Sequence, residues 1–266
     1  MSSLPHSVAF NIHLLFLPPR MPPLDLPSAP SVIMSPKQTL QPPLTYRSTG
    51  PPLLLLLPPS LSSVPISSAR IDPPPLQKWA EEGFTILACT STSASDLKDT
   101  LVQGWATLQA REEVSVLMQD PSGFAIIAYD SSLLAPLVSL LASKGASELN
   151  VLGLVSFGDL ASLETEGDEL PIPWIAHVPA NQVVKGKSKS PDSLGKTYVY
   201  PGVESERFVL PEGQEEGVYR AEAANLSHAR TLEGVRRWLG GPEFDREAIW
   251  EEHCVSPDVQ LFYRGR

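Results

Sequence analysis

Apolar positions in this chain fall into short runs separated by polar stretches with helical spacing. Leu53–Leu57 is an unbroken apolar run between Pro51–Pro52 and Pro58–Pro59. A run with no polar face predicts a strand buried on both sides. Pro73 to Pro75 opens a helix with Leu76, Trp79 and Ala80 on one face, closed by Gly83, and Phe84–Cys89 reads as the next strand. Ser93 with Asp96 three residues on has capping-box spacing. Leu97, Leu101, Trp105 and Leu108 behind it follow the 3.6-residue period of an amphipathic helix. Val114–Met118 reads as a helix turn or a short strand, and Asp120-Pro121-Ser122-Gly123 as a turn.

The alternation continues to the end of the chain. Phe124–Tyr129 predicts a strand and Ser131–Leu141 an amphipathic helix. Asn150–Phe157 and Pro173–Val178 predict strands separated by an acidic loop, Glu164 to Glu169. Lys196–Tyr200 is the last strand. A long helix is expected from Ala223 to Leu239, with Leu226, Leu232, Val235, Trp238 and Leu239 inward and Gly240–Gly241 as its stop. Strands alternating with crossover helices specify an α/β fold, a mostly parallel sheet with helices on both faces.

Composition changes this picture at the N-terminus. Residues 1–60 hold 14 of the 28 prolines. Residues 1–49 carry Arg20, Lys37 and Arg47 against Asp25, while the whole 266-residue chain has a net charge of −10. A Pro/Ser-rich segment without periodicity buries too little apolar surface to offset its ordering entropy. Residues 1–48 are therefore expected to be a disordered leader, with Met21 and Met34 as later starts. Val8–Leu17 is interrupted by Asn11 and His13 and lacks a basic flank, which argues against a secretory signal. A cytoplasmic location is expected, with a mitochondrial presequence as the alternative.

The acidic balance argues against general nucleic-acid binding, which needs a basic surface. No apolar run reaches the ~20 residues of a membrane helix. Two cysteines, Cys89 and Cys254, exclude a disulfide scaffold. No glycine-rich phosphate cradle and no metal-ligand cluster stands out, so no cofactor and no metal are expected.

Three stretches carry a resemblance. The first is Gly50-Pro51-Pro52-Leu53-Leu54-Leu55-Leu56-Leu57-Pro58 with Asp72 to Phe84. The second is Phe124-Ala125-Ile126-Ile127-Ala128-Tyr129-Asp130. The third is Tyr200-Pro201-Gly202 with Phe208, Tyr219, Ala223, Ala224 and Arg230-Thr231-Leu232. Together they resemble the opening strand and helix, the nucleophile strand, and the histidine loop and closing helix of the dienelactone hydrolase family, of the α/β-hydrolase fold. The likeness covers residues 50 to 240. It extends to a fungal carboxymethylenebutenolidase-like group in which a polyketide-cyclase-like domain follows. Gly240 to His253 resembles the junction into that domain, so residues 49–241 read as the hydrolase-like domain and 242–266 as a short helix and tail.

The resemblance implies a nucleophile on a glycine-flanked elbow, a histidine base and an orienting carboxylate. The family's nucleophile is a cysteine, but the elbow here reads Ala128-Tyr129-Asp130-Ser131-Ser132, which puts Asp130 at that position without either glycine. Asp130 reads either as a helix cap or as an aspartate nucleophile of the haloalkane dehalogenase and epoxide hydrolase kind. Ser131 and Ser132 are further nucleophile options. The histidine position falls on Glu206, a solvated loop charge beside Arg207 and a poor base, since a carboxylate ordinarily titrates near ~4.3. The acid position falls near Asn181, with Gln182 beside it.

Of the remaining groups, His177 reads as a core residue with a backbone partner or as a lining of the ancestral pocket. His228 reads as surface or helix packing. His253 and Cys254 are too close together to ligate well, Cys89 is an inert core thiol, and Lys185 to Pro191 is a basic loop with Ser190 as a phosphorylation candidate. The expected function is a catalytically degenerate dienelactone-hydrolase-like scaffold or small-molecule binding module. The rivals are an active hydrolase using Asp130 and a fragment whose activity lies in an absent C-terminal domain. A small molecule in the ancestral pocket is the one partner this reading admits; it sets no oligomeric state.

Overall fold

The computed structural model describes residues 30–45, 48–59, 72–90, 92–115, 123–142, 145–158, 170–182, 194–210 and 218–240. Eight strands form one sheet: β1 (Val32–Ser35), β2 (Gln38–Gln41), β3 (Pro52–Leu57), β4 (Thr85–Thr90), β5 (Phe124–Ala128), β6 (Val151–Phe157), β7 (Trp174–Pro179) and β8 (Gly195–Tyr200). Their spatial order is β1-β2-β4-β3-β5-β6-β7-β8. β1 pairs antiparallel with β2, and β2 antiparallel with β4; every other pairing is parallel. The chain adopts the α/β architecture expected from its sequence, a mostly parallel sheet with helices on both faces.

The leucine run explains the two-layer cover. Every residue of β3 is buried. Leu54 and Leu56 enter one apolar cluster, with Leu97, Leu101 and Leu108 of α2 (Leu97–Gln109) and Leu134, Leu137 and Leu141 of α4 (Leu134–Leu141). Leu53, Leu55 and Leu57 enter the other, with Trp79 and Ala80 of α1 (Pro75–Glu81) and Leu232 and Val235 of α6 (Ala221–Leu239). Alternate side chains of a strand point to opposite faces, so a run apolar at every position must be covered twice.

Helix ends follow the sequence signals. α1 starts with proline in its first turn, and Gly83 (φ 91°) turns the chain from it into β4. The Ser93 hydroxyl accepts the Asp96 N–H at 3.3 Å, as the capping spacing predicts, and α2 proper begins one residue later. Val114 lies in a single helical turn, Glu112–Ser115. Gly240 caps α6 in the left-handed conformation (φ 77°).

Two expectations are corrected. Val32–Ser35 and Gln38–Gln41, within the stretch 1–48 assigned to a disordered leader, are strands of the sheet. Pro36 sits in the β1–β2 turn and Pro42–Pro43 follow β2, so these prolines bracket strands without interrupting a hydrogen-bond ladder. Leu40 is fully buried against Leu87 and anchors β2. Leu226, expected inward, is 41% exposed. The buried stripe of α6 runs through Ala224, Ser227, Thr231, Leu232, Gly234 and Val235, and Leu226 lies off it. The turn at 120–122, the acidic loop 164–169, the basic loop 185–191 and the tail 242–266 lie outside the described residues.

Truncating Leu55→Ala should lower unfolding stability by about 2–5 kcal/mol, because the cavity opens between the sheet and the helix layer of α1 and α6. Urea titration with an unchanged m-value checks this. A loss under half a kilocalorie would mean the centre of the sheet is not packed as described.

Candidate functional site

Parallel strands deliver their carboxyl ends to one edge of the sheet, where α/β folds place their sites. Three segments meet there. Asp130 and a 3-10 turn, Ser131–Leu133, follow β5; a second turn, Ala180–Gln182, follows β7; a third, Glu206–Val209, lies in the loop after β8. The Ser205 hydroxyl accepts the Arg207 N–H at 3.2 Å and fixes the start of the third turn.

Glu206 joins the three. The Ser131 hydroxyl donates to its Oε1 at 2.8 Å, and the Gln182 amide donates to its Oε2 at 2.7 Å. The carboxylate is half-buried. Burial alone raises its pKa. The Gln182 amide, its own backbone N–H, the Ser131 hydroxyl and the Arg207 charge together outweigh that and hold it below the ordinary glutamate value. It is thus kept ionised rather than poised near neutrality. This replaces the solvated loop charge expected at Glu206.

Of the three sequence-assigned positions, Glu206 alone is at the junction. The Asp130 carboxylate instead accepts the Ser132 N–H at 3.1 Å and the Ser132 hydroxyl at 2.6 Å. It caps the turn after β5, with φ −95° and ψ 101°. The Asn181 amide donates to the Glu204 carbonyl at 3.1 Å. Their neighbours Ser131 and Gln182 face Glu206. The two positions are one residue out of register because successive side chains of a 3-10 turn point about 120° apart. The complementary set of hydroxyl, amide and carboxylate was the available signal.

The strained elbow is missing. Among the described residues only Ser48 and Asn150 are non-glycine residues with positive φ, so nothing between Ala128 and Ser132 adopts a left-handed turn. Among the described residues no imidazole stands at the junction either. His177 is fully buried in β7, its Nδ1 2.8 Å from the Tyr200 hydroxyl and its Nε2 2.8 Å from the Thr231 hydroxyl. Its partners are side chains, not the backbone expected. It stacks between Phe157 (5.1 Å) and Tyr198 (5.7 Å). Burial, with the Arg230 charge adding to it, pushes its pKa down to about 3. His228 packs on Trp79 and bonds Glu82 at 3.1 Å, with Arg236 on the other Glu82 oxygen at 3.2 Å.

The space beside the junction is small. A cavity of about 10 Å³ lies between Trp79, Tyr129, Phe157 and Val209, room for roughly one water. The Trp79 indole donates to the buried Tyr129 hydroxyl at 2.9 Å and closes that side. A larger groove of about 430 Å³ lies at the opposite end of the strands, lined by Trp174, Tyr198, Arg230 and Trp238. Burial raises the Cys89 thiol to about 12, far from a reactive thiolate. His253 and Cys254 lie outside the described residues. Among the described residues no cluster of three metal-ligating side chains occurs, and no helix is long and apolar enough to cross a membrane.

Two solved structures are similar. One is a variant of the AtxE2 isopeptidase with astexin3-dC4 bound, 14% identical, TM-score 0.41, over 85% of this chain and 40% of that one. The other is the acylaminoacyl peptidase of Pyrococcus horikoshii, 12% identical, TM-score 0.42, over 80% and 42%. This chain thus spans about two-fifths of the length of either. No protein-family model and no curated protein sequence matches it.

Replacing Glu206 by Ala leaves Ser131 and Gln182 without their acceptor and should cost about 1–2 kcal/mol of stability in urea; no loss would show that the three turns hold without it. His177 gives a pH signature. Its folded pKa of about 3 lies below the unfolded 6.5, so its contribution is complete above pH 6.5. It is lost as pH falls toward 3, at a limiting slope of about 1.4 kcal/mol per unit. The stability difference between wild type and His177→Gln should therefore shrink from pH 7 to pH 5; a constant difference would contradict the buried neutral imidazole.

Proposed function

We propose that this chain is a catalytically degenerate relative of the dienelactone hydrolases, kept as a scaffold or small-molecule binding module. One observation carries the reading: where acyl transfer needs an imidazole between nucleophile and acid, Glu206 stands with both oxygens already taken by Ser131 and Gln182. A carboxylate held ionised by four donors and charges is a weak base, far from the poise general-base catalysis requires.

Two further features support it. The backbone N–H after a serine nucleophile would have to stabilise the oxyanion, and here the Ser132 N–H faces the Asp130 carboxylate. Pro58 and Pro59, which follow β3 where a second donor is expected in this fold, have no N–H to give. If the module binds a small molecule, the groove beside α6 offers the volume and the junction cavity does not. The fold by itself implies no activity.

The test is turnover by the wild-type chain of aryl esters, a dienelactone and a haloalkane, beside Asp130→Asn and Ser131→Ala/Glu206→Gln variants. Wild-type rates at the buffer level are expected throughout. Wild-type turnover lost in either variant would establish an active hydrolase.

A further inference from the structure

The groove of about 430 Å³ lies at the amino ends of β7 and β8, the far end of the strands from Glu206. Its volume falls within the ~300–1,000 Å³ of small-molecule sites. The sheet explains its place. β8 is the outermost strand, and the second half of α6 packs on strands inside it. Gly234 lets the helix close on β7, since a Cβ there would lie 2.4 Å from the Ile175 Cδ1. The Trp238 indole lies on β6 in the same way, since a Cβ on Gly153 would lie 2.1 Å from its Cε3. β8 is thus left at the flank of the helix, and Tyr198 lines the corner between them.

The lining joins aromatic surface to positive charge. Trp238 and Tyr198 are half-buried there. The described lining holds three cations, Lys196, Arg230 and Arg237, and one carboxylate, Glu233, which Arg237 bonds at 2.9 Å. The groove therefore runs against the net charge of the chain, −10. Charges beyond about 8 Å are screened at physiological salt, so the local cations decide what binds. The negative end of the α6 dipole acts only within its last turn. Arg230 stands nine residues before Leu239, roughly 13–14 Å along the axis. Its guanidinium carbon lies 4.2 Å from the Tyr198 ring centroid and 5.7 Å from that of Tyr200, and the Lys196 ammonium lies 4.8 Å from Tyr198. One ring thus brings two cations together. A guanidinium laid on aromatic faces loses little freedom when it takes a carboxylate.

We propose that this groove binds a small aromatic carboxylate, with the carboxylate at Arg230 and Lys196 and the ring along Trp238. The inference rests on the reading of the chain as a binding module and names the class of ligand. A neutral ligand of the same shape would cover the two cations without pairing them, and a cationic one would be repelled.

The test is calorimetric titration of the full chain with sodium 2-naphthoate, beside 2-naphthylmethanol and 2-naphthylmethylamine. Naphthoate should bind one to one with a Kd of about 0.1–1 mM, about tenfold or more tighter than the alcohol or the amine. Arg230→Gln should weaken it about tenfold and Lys196→Gln about threefold, while Arg220→Gln, outside the groove, should leave it unchanged. If Arg230→Gln does not fold, Lys196→Gln, at an exposed position, carries the test. In nitrogen-15 NMR spectra naphthoate should shift the Trp238 indole N–H, assigned with Trp238→Phe, and not that of Trp79. No saturation well above that range overturns the proposal. So does the alcohol binding as tightly as naphthoate, a Trp238 signal that stays in place, or an affinity that the folded variants keep. Ester turnover by the wild type, in contrast, sinks the silent reading of the Glu206 edge whatever the groove binds.

Discussion

Glu206 is the contact on which the functional edge depends. Three strands, β5, β7 and β8, end on one edge of the sheet, and the loops after them meet there. One carboxylate gathers a hydroxyl from the β5 loop and an amide from the β7 loop while its own backbone belongs to the β8 loop. Hydrogen bonds to an ionised acceptor are stronger than neutral ones. The same bonds that fix the loops therefore fix the protonation state, and an ionised, saturated carboxylate is a brace rather than a base.

The sheet makes this convergence unavoidable. β3 is apolar at every position and must be covered on both faces, so α2 and α4 cover one side and α1 and α6 the other, and β3 to β8 run parallel. Parallel strands put every outgoing loop on one edge. The chemistry there is decided by a few loop residues, while the core below is indifferent to them. The buried His177, locked between Tyr200 and Thr231, belongs to the core rather than to that edge.

Most of the fold was legible because its signals are local. Leu53–Leu57, the 3.6-residue spacing of Leu97, Leu101, Trp105 and Leu108, and Gly240 each specify an element within a few residues. β1 and β2 were not legible as strands. They are four residues long and owe their place to pairing with β4, distant in sequence, and their flanking prolines imitate a disordered leader. The site was half legible. Glu206 could be placed by its neighbours, but choosing Ser131 over Asp130 and Gln182 over Asn181 depends on how two 3-10 turns rotate their side chains. Leu226 was misplaced for a similar reason: the stripe that packs on the sheet is set by what lies opposite it, including the small Ser227 and Gly234.

The ionisation of Glu206 decides whether that edge can act as a base. A carbon-13 NMR titration of the glutamate carboxyls, with Glu206 assigned by comparison with Glu206→Gln, reads it directly. Titration of Glu206 below the ordinary glutamate range is predicted. A midpoint displaced upward toward neutrality would show a carboxyl tuned as a general base and would contradict the silent site.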